Sequence, residues 1–473
     1  MNKVIVIDPL TRIEGHAKIS IYLDEMGMVK DARFHVTEFR GFERFCQARP
    51  LAEMPAITSR ICGICPVSHL LASSKAADKI LSVEIPVSAE KLRRLMNLAQ
   101  IIQSHALSFF HLSSPDFLLG WDSQIAKRNI FGLMEANPEF ARSGIRLRQF
   151  GQGIIETLGN KKIHSSCWSV PGGVNNGLSL EGKIWIKERL AESFQTITMA
   201  LDLFKRLLDL QFTQEVEIFG QFPSLFMALV GDQGQWEHYG GKIRFVDSKG
   251  NIVNDNLSED DYPKYLSEAV ENWSYLKFPY YRELGYPDGI YRVGPLARLK
   301  VCDYIGTEQA DRHLREFRSF GNNSSFYYHY ARLIEILACL EKIQDLIEDP
   351  DLYLCRLKSQ AGINQLEAVG VSEAPRGTLF HHYQVDENGL ITKLNLIIAT
   401  GQNNLAMNKT ITQIAKHYIK GNNQISQGLL NRVEAGIRCY DPCLSCSTHA
   451  LGQMPLVIEL IDVAGVVVRQ ISR

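Results

Sequence analysis

Two Cys-x-x-Cys pairs stand near opposite ends of this chain, Cys62 with Cys65 in RICGICPVSH and Cys443 with Cys446 in DPCLSCSTH. Two residues between thiols let both sulfurs of a tight turn face one ion, and four thiolates form a soft donor set for zinc, nickel or iron-sulfur chemistry. Cys65 and Cys443 are 378 positions apart, so a single site built from both pairs requires the two ends of the fold to meet. Zinc knuckles and ribbons usually take their second pair from a few tens of residues away. A structural zinc staple is therefore the weaker reading of this spacing. A histidine follows each pair, His69 four residues after Cys65 and His449 three after Cys446.

With 473 residues, 45% of them hydrophobic, the chain can bury a large core and should be folded throughout. Length alone allows about three domains or one large interlocked domain. There is no internal repeat, low-complexity tract or linker, so motifs at opposite ends can share one site. The balance of 51 Lys plus Arg against 52 Asp plus Glu argues against nucleic acid or an anionic membrane surface as partner. The opening MNKVIVIDPLTRIEGH lacks a charged-then-apolar leader, and the apolar runs stop short of the ~18 residues of a membrane span. A soluble, cytoplasmic protein is expected, in which ten cysteines serve as thiols and metal ligands rather than disulfides.

Helical periodicity runs through roughly 88–113, 136–158, 181–211 and 325–349. The first stretch carries Ser88 as an N-cap, with Glu90 in its first turn and an apolar stripe behind it. HAKISIYLDEMGMVKDARFHV, KIRFVDSKGNIVND and TLFHHYQVDENGLITKLNLIIAT alternate about glycine-containing turns and read as β-hairpins. The expected fold class is α+β, mainly helical: a central bundle of long helices with small peripheral sheets. Phe109, Phe110, Phe326 and Tyr327 read as packing residues of that bundle. Cys46, Cys167, Cys302, Cys339, Cys355 and Cys439 lack paired spacing and read as core.

The segments DPLTRIEGHAKI, RGFE, RICGICPVSH, IHSSCWSVPGGV, GPLARL, EAPRGTL and DPCLSCSTH, in this order from position 8 to 449, strongly resemble the catalytic large subunit of nickel-iron hydrogenases. Arg60, His69 and Asp441 around the cysteine pairs add to the match. IIATGQNNLAMN and the compact length look most like the cytoplasmic, bidirectional, NAD(P)-coupled group. One component of respiratory complex I shares this fold but lacks the four ligand cysteines, all of which are retained here.

The resemblance implies nickel held by Cys62, Cys65, Cys443 and Cys446, with Cys65 and Cys446 bridging to an iron that carries one CO and two cyanides. It implies Cys443 as immediate proton acceptor during heterolytic H2 cleavage and Glu14 of TRIEGH as first relay. An ion pair with Arg12 is the plainer reading of Glu14. Arg376 of EAPRGTL matches a guanidinium over the open metal position, where it stabilises charge and contacts cyanide. Asp441 would orient it, or cap the turn that carries Cys443. Thr400 matches a hydroxyl that donates to the second cyanide, although ATGQNN departs from the pattern of uptake enzymes. Ser104 stands where many of those enzymes have an aspartate. Glu43 and His449 match ligands of a Mg2+ ion, and His16 and His69 stand close enough to the motifs to orient ligands or relay protons.

The implied activity is reversible cleavage of H2 to protons and electrons, with electrons passed to NAD(P). The chain has no further cysteine cluster for an iron-sulfur relay, and no strand-linked GxGxxG. The resemblance therefore implies a small subunit with an iron-sulfur cluster and diaphorase subunits with FMN and iron-sulfur clusters. It also implies nickel-insertion factors and a maturation endopeptidase. Alternatives are coupling to coenzyme F420 or another acceptor, or a complex I-like scaffold. On this reading residues 1–449 form one interlocked domain. The extension 450–473, whose PLVIEL and VVVRQI could add a hairpin to a sheet edge, is removed on maturation.

Overall fold

The computed structural model describes residues 4–321, 323–421, 425–449, 457–461 and 467–472. Apolar alternation on both sides of Asp24 produces an antiparallel sheet of β1 (Val4–Ile7), β2 (Ala17–Leu23) and β3 (Val29–Val36). Asp24 closes the β2–β3 turn by accepting the N–H groups of Met26 and Met28, the local bond that favours Asp in turns.

The chain then enters α1 (Pro66–Ile80), α2 (Val87–Ala106), α3 (Pro138–Gly159) and α4 (Leu180–Leu210). Of these, α1 is not legible as a helix in the sequence: nearly every residue in it is buried, so no polar face marks its period. Ser88 does not cap α2. Pro86 holds the cap position, and the Ser88 hydroxyl lies inside the first turn, donating to the Arg356 carbonyl at 2.5 Å. The stretch predicted to continue to 113 leaves α-helical geometry at Ala106 and passes through a wider π-type segment, Leu107–Ser113.

Next come β4 (Leu225–Val230), β5 (Lys242–Val246), β6 (Ile252–Leu257) and β7 (Tyr291–Arg292), in sheet order β7-β4-β5-β6, then α5 (Pro295–Val301) and α6 (Tyr328–Leu346). Helices α2, α3, α4 and α6 pack in a ring, α2 on α3 and α6, and α4 on the same two. This is the bundle expected from periodicity, with Phe109, Phe110, Phe326 and Tyr327 in its core. Cys167 and Cys355, read as core residues, are exposed instead, whereas Cys46, Cys302, Cys339 and Cys439 are buried. Both exceptions lie in loops, where apolar side chains carry no burial pattern.

A second antiparallel sheet contains β8 (Glu367–Ala374), β9 (Gly377–Val385) and β10 (Ile391–Ile397). The β9–β10 hairpin matches the expectation. β8 has no counterpart in it, because all of the strand but Glu367 is buried and it shows no alternation. It packs on α1 so closely that a Cβ at Gly370 would stand 2.1 Å from the Ala72 carbonyl oxygen. Helices α7 (Asn404–Tyr418) and α8 (Gln427–Arg438) then lead to the second cysteine loop. In the extension, β11 (Val457–Ile461) and β12 (Val467–Ser472) pair only with each other among the described residues, not with the edge of another sheet. The expected cleavage point between His449 and Ala450 borders residues outside those described.

Candidate metal centre

Cys62 ends a short 3-10 turn, Ser59–Ile61, and Cys65 is the residue immediately before α1. Between them the chain turns back, and the backbone N–H groups of Ile64 and Cys65 point at Cys62 Sγ at 3.2 and 3.3 Å. Cys443 precedes the one-turn helix α9 (Leu444–Ser447), which carries Cys446. The four sulfurs lie within 4.8 Å of one another. The closest approaches are 3.3 Å for Cys62–Cys443, 3.3 Å for Cys65–Cys446 and 3.0 Å for Cys443–Cys446.

S–H donation from Cys443, Cys446 and Cys65 holds the Cys62 thiol well below its ordinary range, while burial pushes Cys443 and Cys446 well above theirs. Without a cation such a quartet keeps its negative charge to a minimum; a soft cation removes the penalty for all four. Metal–sulfur bonds of about 2.3 Å need sulfur–sulfur separations of roughly 3.8 Å, within reach of this cluster.

Two distant segments hold the Cys443 loop. Glu14 and Cys443 form a parallel bridge, in which Leu444 N–H donates to the Glu14 carbonyl at 3.2 Å. The half-buried Glu14 carboxylate accepts the Ser445 N–H at 3.0 Å and also the Ser445 hydroxyl. The alternative ion pair with Arg12 does not form. Arg12 sits in the left-handed region, φ 57°, and its guanidinium turns to Asp116 at 2.5 Å. Thr400 Oγ1 accepts the Cys443 N–H at 2.9 Å. With Glu14 and Thr400 serving the start of α9, Asp441 does not cap it.

Asp441 instead faces Arg376. The β8–β9 hairpin turns on Pro375 and Arg376 alone, since Ala374 pairs with Gly377. At this tip Arg376 is 4% exposed, its Nε donates to the Asp441 carbonyl at 2.5 Å, its Nη2 is 3.0 Å from Asp441 Oδ2 and its Nη1 is 3.4 Å from Ser104 Oγ. Burial pushes the Asp441 carboxyl above its ordinary range against the pull of Arg376 and Arg332. The Nη2–Oδ2 contact is an ionic approach without hydrogen-bond alignment, and neither atom has another hydrogen-bond partner.

Arg376, Thr400, Leu379 and Ile398 line a small cavity together with Cys65, Cys443 and Cys446. A structural zinc site is closed around its four ligands; this quartet opens onto a cavity lined also by Arg376 and Thr400. Those features fit a second metal with small polar ligands beside Cys65 and Cys446.

His69 Nε2 lies 3.3 Å from Cys446 Sγ and His69 Nδ1 3.1 Å from His381 Nε2, while His381 Nδ1 lies 2.7 Å from the Tyr383 hydroxyl. Burial lowers His69 to about 4 and keeps His381 neutral as well. Each neutral ring has one N–H and one acceptor, so the chain orients the proton on His69. Sequence reasoning misses His381 and Tyr383; the only signal is two polar residues on the inward face of a strand. Glu43 Oε1 accepts the Leu396 N–H at 2.8 Å and lies 2.9 Å from His449 Nδ1, and the Glu43 N–H donates to the His449 carbonyl at 3.0 Å. The pair ties the end of the cysteine loop to β10.

Two residues named with the motifs stand apart. His16 is exposed and pairs with Glu38 at 2.8 Å, and Arg60 faces solvent.

The family described as HoxL-like matches residues 4–39, and that described as Nickel-dependent hydrogenase matches 40–124 and 241–449. The chain is 44% identical over 490 residues to the NAD-reducing hydrogenase HoxS subunit beta of Cupriavidus necator, with 100% of both chains aligned. It is 41% identical over 483 residues to a component of the F420-non-reducing hydrogenase of Methanothermobacter thermautotrophicus, covering 99% of each. A crystal structure of an NAD+-reducing nickel-iron hydrogenase in the H2-reduced state superposes with a TM-score of 0.92 at 44% identity, covering 94% of this chain and 99% of that one. A nickel-iron-selenium hydrogenase from D. vulgaris Hildenborough, at 23% identity and a TM-score of 0.77 over 95% of this chain and 100% of its own, shares the fold.

Proposed function

As the chain belongs to the nickel-dependent hydrogenase family, in its large-subunit branch, we propose that it is the catalytic component of a bidirectional hydrogenase that passes electrons from H2 to NAD(P) through partner subunits. The observation that carries the reading is the buried four-thiol cluster opening onto a cavity faced by Arg376 and Thr400. A nickel-iron pair bound there supplies the Lewis acidity for H2 cleavage and the redox states for its electrons. Cys62, Cys65, Cys443 and Cys446 would hold the pair, whose iron would carry CO and cyanide toward the cavity that Cys65, Cys443 and Cys446 line. Cys443 Sγ takes the proton and the Glu14 carboxylate, hydrogen-bonded to the next turn of the same loop, carries it onward. Arg376 contributes a fixed positive charge at the cavity edge. Asp441 holds that guanidinium through its carbonyl and carboxylate, and Thr400 fixes the Cys443 backbone. Glu43 and His449 would hold the Mg2+ ion.

The NAD(P) acceptor is supported by the 44% relative, whose name states NAD reduction. The 41% relative keeps a second acceptor class open, but its name excludes F420. A small subunit with an iron-sulfur cluster, together with an FMN-containing diaphorase module, follows from the NAD(P) reading. No helix among the described residues is long and apolar enough to cross a membrane. Removal of residues 450–473 by an endopeptidase after nickel insertion would leave a single domain, 1–449. The solved relative is covered to 99% while only 94% of this chain aligns with it, the asymmetry that a missing extension would produce. Intact mass of active enzyme tests this: a chain ending at His449 is expected, and full activity from one ending at Arg473 would refute it.

The central experiment is metal analysis with infrared spectroscopy on the purified complex. Nickel and iron together, with CO and cyanide bands, are expected. Cys65→Ser and Cys446→Ser should each abolish H2 turnover, because a hydroxyl bridges soft metals poorly. Zinc without those bands would restore the structural reading.

A further inference from the structure

We infer that Arg298, the arginine of GPLARL, is a positioning residue that sets where Arg376 stands; the inference rests on the reading of the cavity above. Arg298 lies on α5, is 1% exposed and uses all five of its N–H donors. Nε and Nη2 grip both oxygens of Glu335 on α6 at 2.6 Å each. Nη1 reaches Glu373 Oε2 at 2.9 Å. The two remaining donors go to the Ala374 carbonyl at 2.9 Å and the Pro375 carbonyl at 3.2 Å. These are the two peptide oxygens immediately before Arg376, so one guanidinium fixes the backbone of the hairpin tip from which the other projects.

The surroundings leave that tip little freedom. Glu373 Oε1 accepts the Thr378 hydroxyl at 2.7 Å and the Leu229 N–H at 3.0 Å, which ties β8 to β9 across the turn and to β4 behind it. A Cβ at Gly294, where α5 begins, would stand 2.6 Å from the Arg376 carbonyl oxygen, and one at Gly377 2.7 Å from the Gly294 N. Glycine at both positions lets the start of GPLARL and the end of EAPRG touch through their backbones. On the far side, Glu335 accepts Trp236 Nε1 at 2.9 Å and lies 2.8 Å from Nε2 of His105. His105 adjoins Ser104, whose hydroxyl approaches the Arg376 guanidinium. Arg376 is thus held on two sides by parts of one buried network, and a lysine at 298 cannot reproduce a fork with five fixed donors.

The test uses the purified complex and two readouts. In Arg298→Lys, hydrogen–deuterium exchange should rise in the peptide covering 371–381 while nickel and iron content stay near normal. H2 turnover should fall about 10²-fold, and the cyanide infrared bands should shift. In the Arg376→Lys background the same change should cost less than a further threefold, because the group it positions is already gone. A full multiplicative loss there, or unchanged exchange at the hairpin in the single variant, would overturn the inference. Should Arg298→Lys fail to fold, Thr378→Val removes the Glu373 tie alone; it should raise exchange in the same peptide and lower turnover several-fold, and no change in either would equally overturn it. The exchange measurement does not depend on metal, so a protein without CO and cyanide bands would sink the proposed activity while still reporting on the clamp.

Discussion

The hydroxyl oxygen of Thr400 accepts the backbone N–H of Cys443 at 2.9 Å. The residue expected to donate toward an iron ligand thus also holds the loop that carries Cys443, a proposed nickel ligand. Thr400→Val should orphan a buried N–H at a cost of about 1–3 kcal/mol, lowering both metal content and turnover. Thr400→Ser keeps the oxygen and should preserve both. Equal behaviour of the two variants in elemental analysis and H2-uptake assays would show that the hydroxyl does not matter.

Glu14→Gln should keep the protein intact, because a glutamine oxygen still accepts the Ser445 N–H. An amide cannot take up and release the proton, so H2/D2O exchange should slow by about 10²-fold or more, with unchanged infrared bands. Full exchange would remove Glu14 from the proton path.

Arg376→Lys should leave nickel and iron near normal while lowering turnover by about 10²-fold or more. A lysine cannot donate to the Asp441 carbonyl through Nε and present two further nitrogens to Ser104 and the Asp441 carboxylate at once. Wild-type rates in the lysine variant would reduce Arg376 to a packing role.

Burial pushes His105 down to about 4 and His238 to about 3, below the 6.5 of an exposed histidine. Between those values the unfolded chain binds more protons than the folded one, so stability falls as pH drops from 6.5 toward 4. Each group should contribute on the order of 1 kcal/mol per pH unit in that window. Glu237 and Glu335, held at about 2 by Arg94 and Arg298 against burial, lose their contribution only as pH falls from 4.5 toward 2. Urea midpoints should therefore drop clearly between pH 6.5 and 5, and His238→Gln should flatten that slope. A flat profile in the wild-type protein would contradict the burial of these rings.

What the sequence by itself determined were the features with a local signature. The four-thiol cluster is written in two four-residue motifs, and the bundle helices α3 and α4 show in their periodicity because each keeps a polar face, which α2 and α6 keep only in the first turns of the one and the last turns of the other. The hairpins show in alternation around Asp and Gly turns. Helix α1 and strand β8 left no such trace, since elements buried on all sides have no solvent face to set a period. Tertiary structure alone decided that Glu14 faces Ser445 rather than Arg12, that His69 is backed by His381, and that Arg298 grips the tip carrying Arg376. These contacts join residues tens to hundreds of positions apart. Their partners are chosen by packing and by the need to satisfy every buried donor, and neither constraint acts between neighbours in the chain.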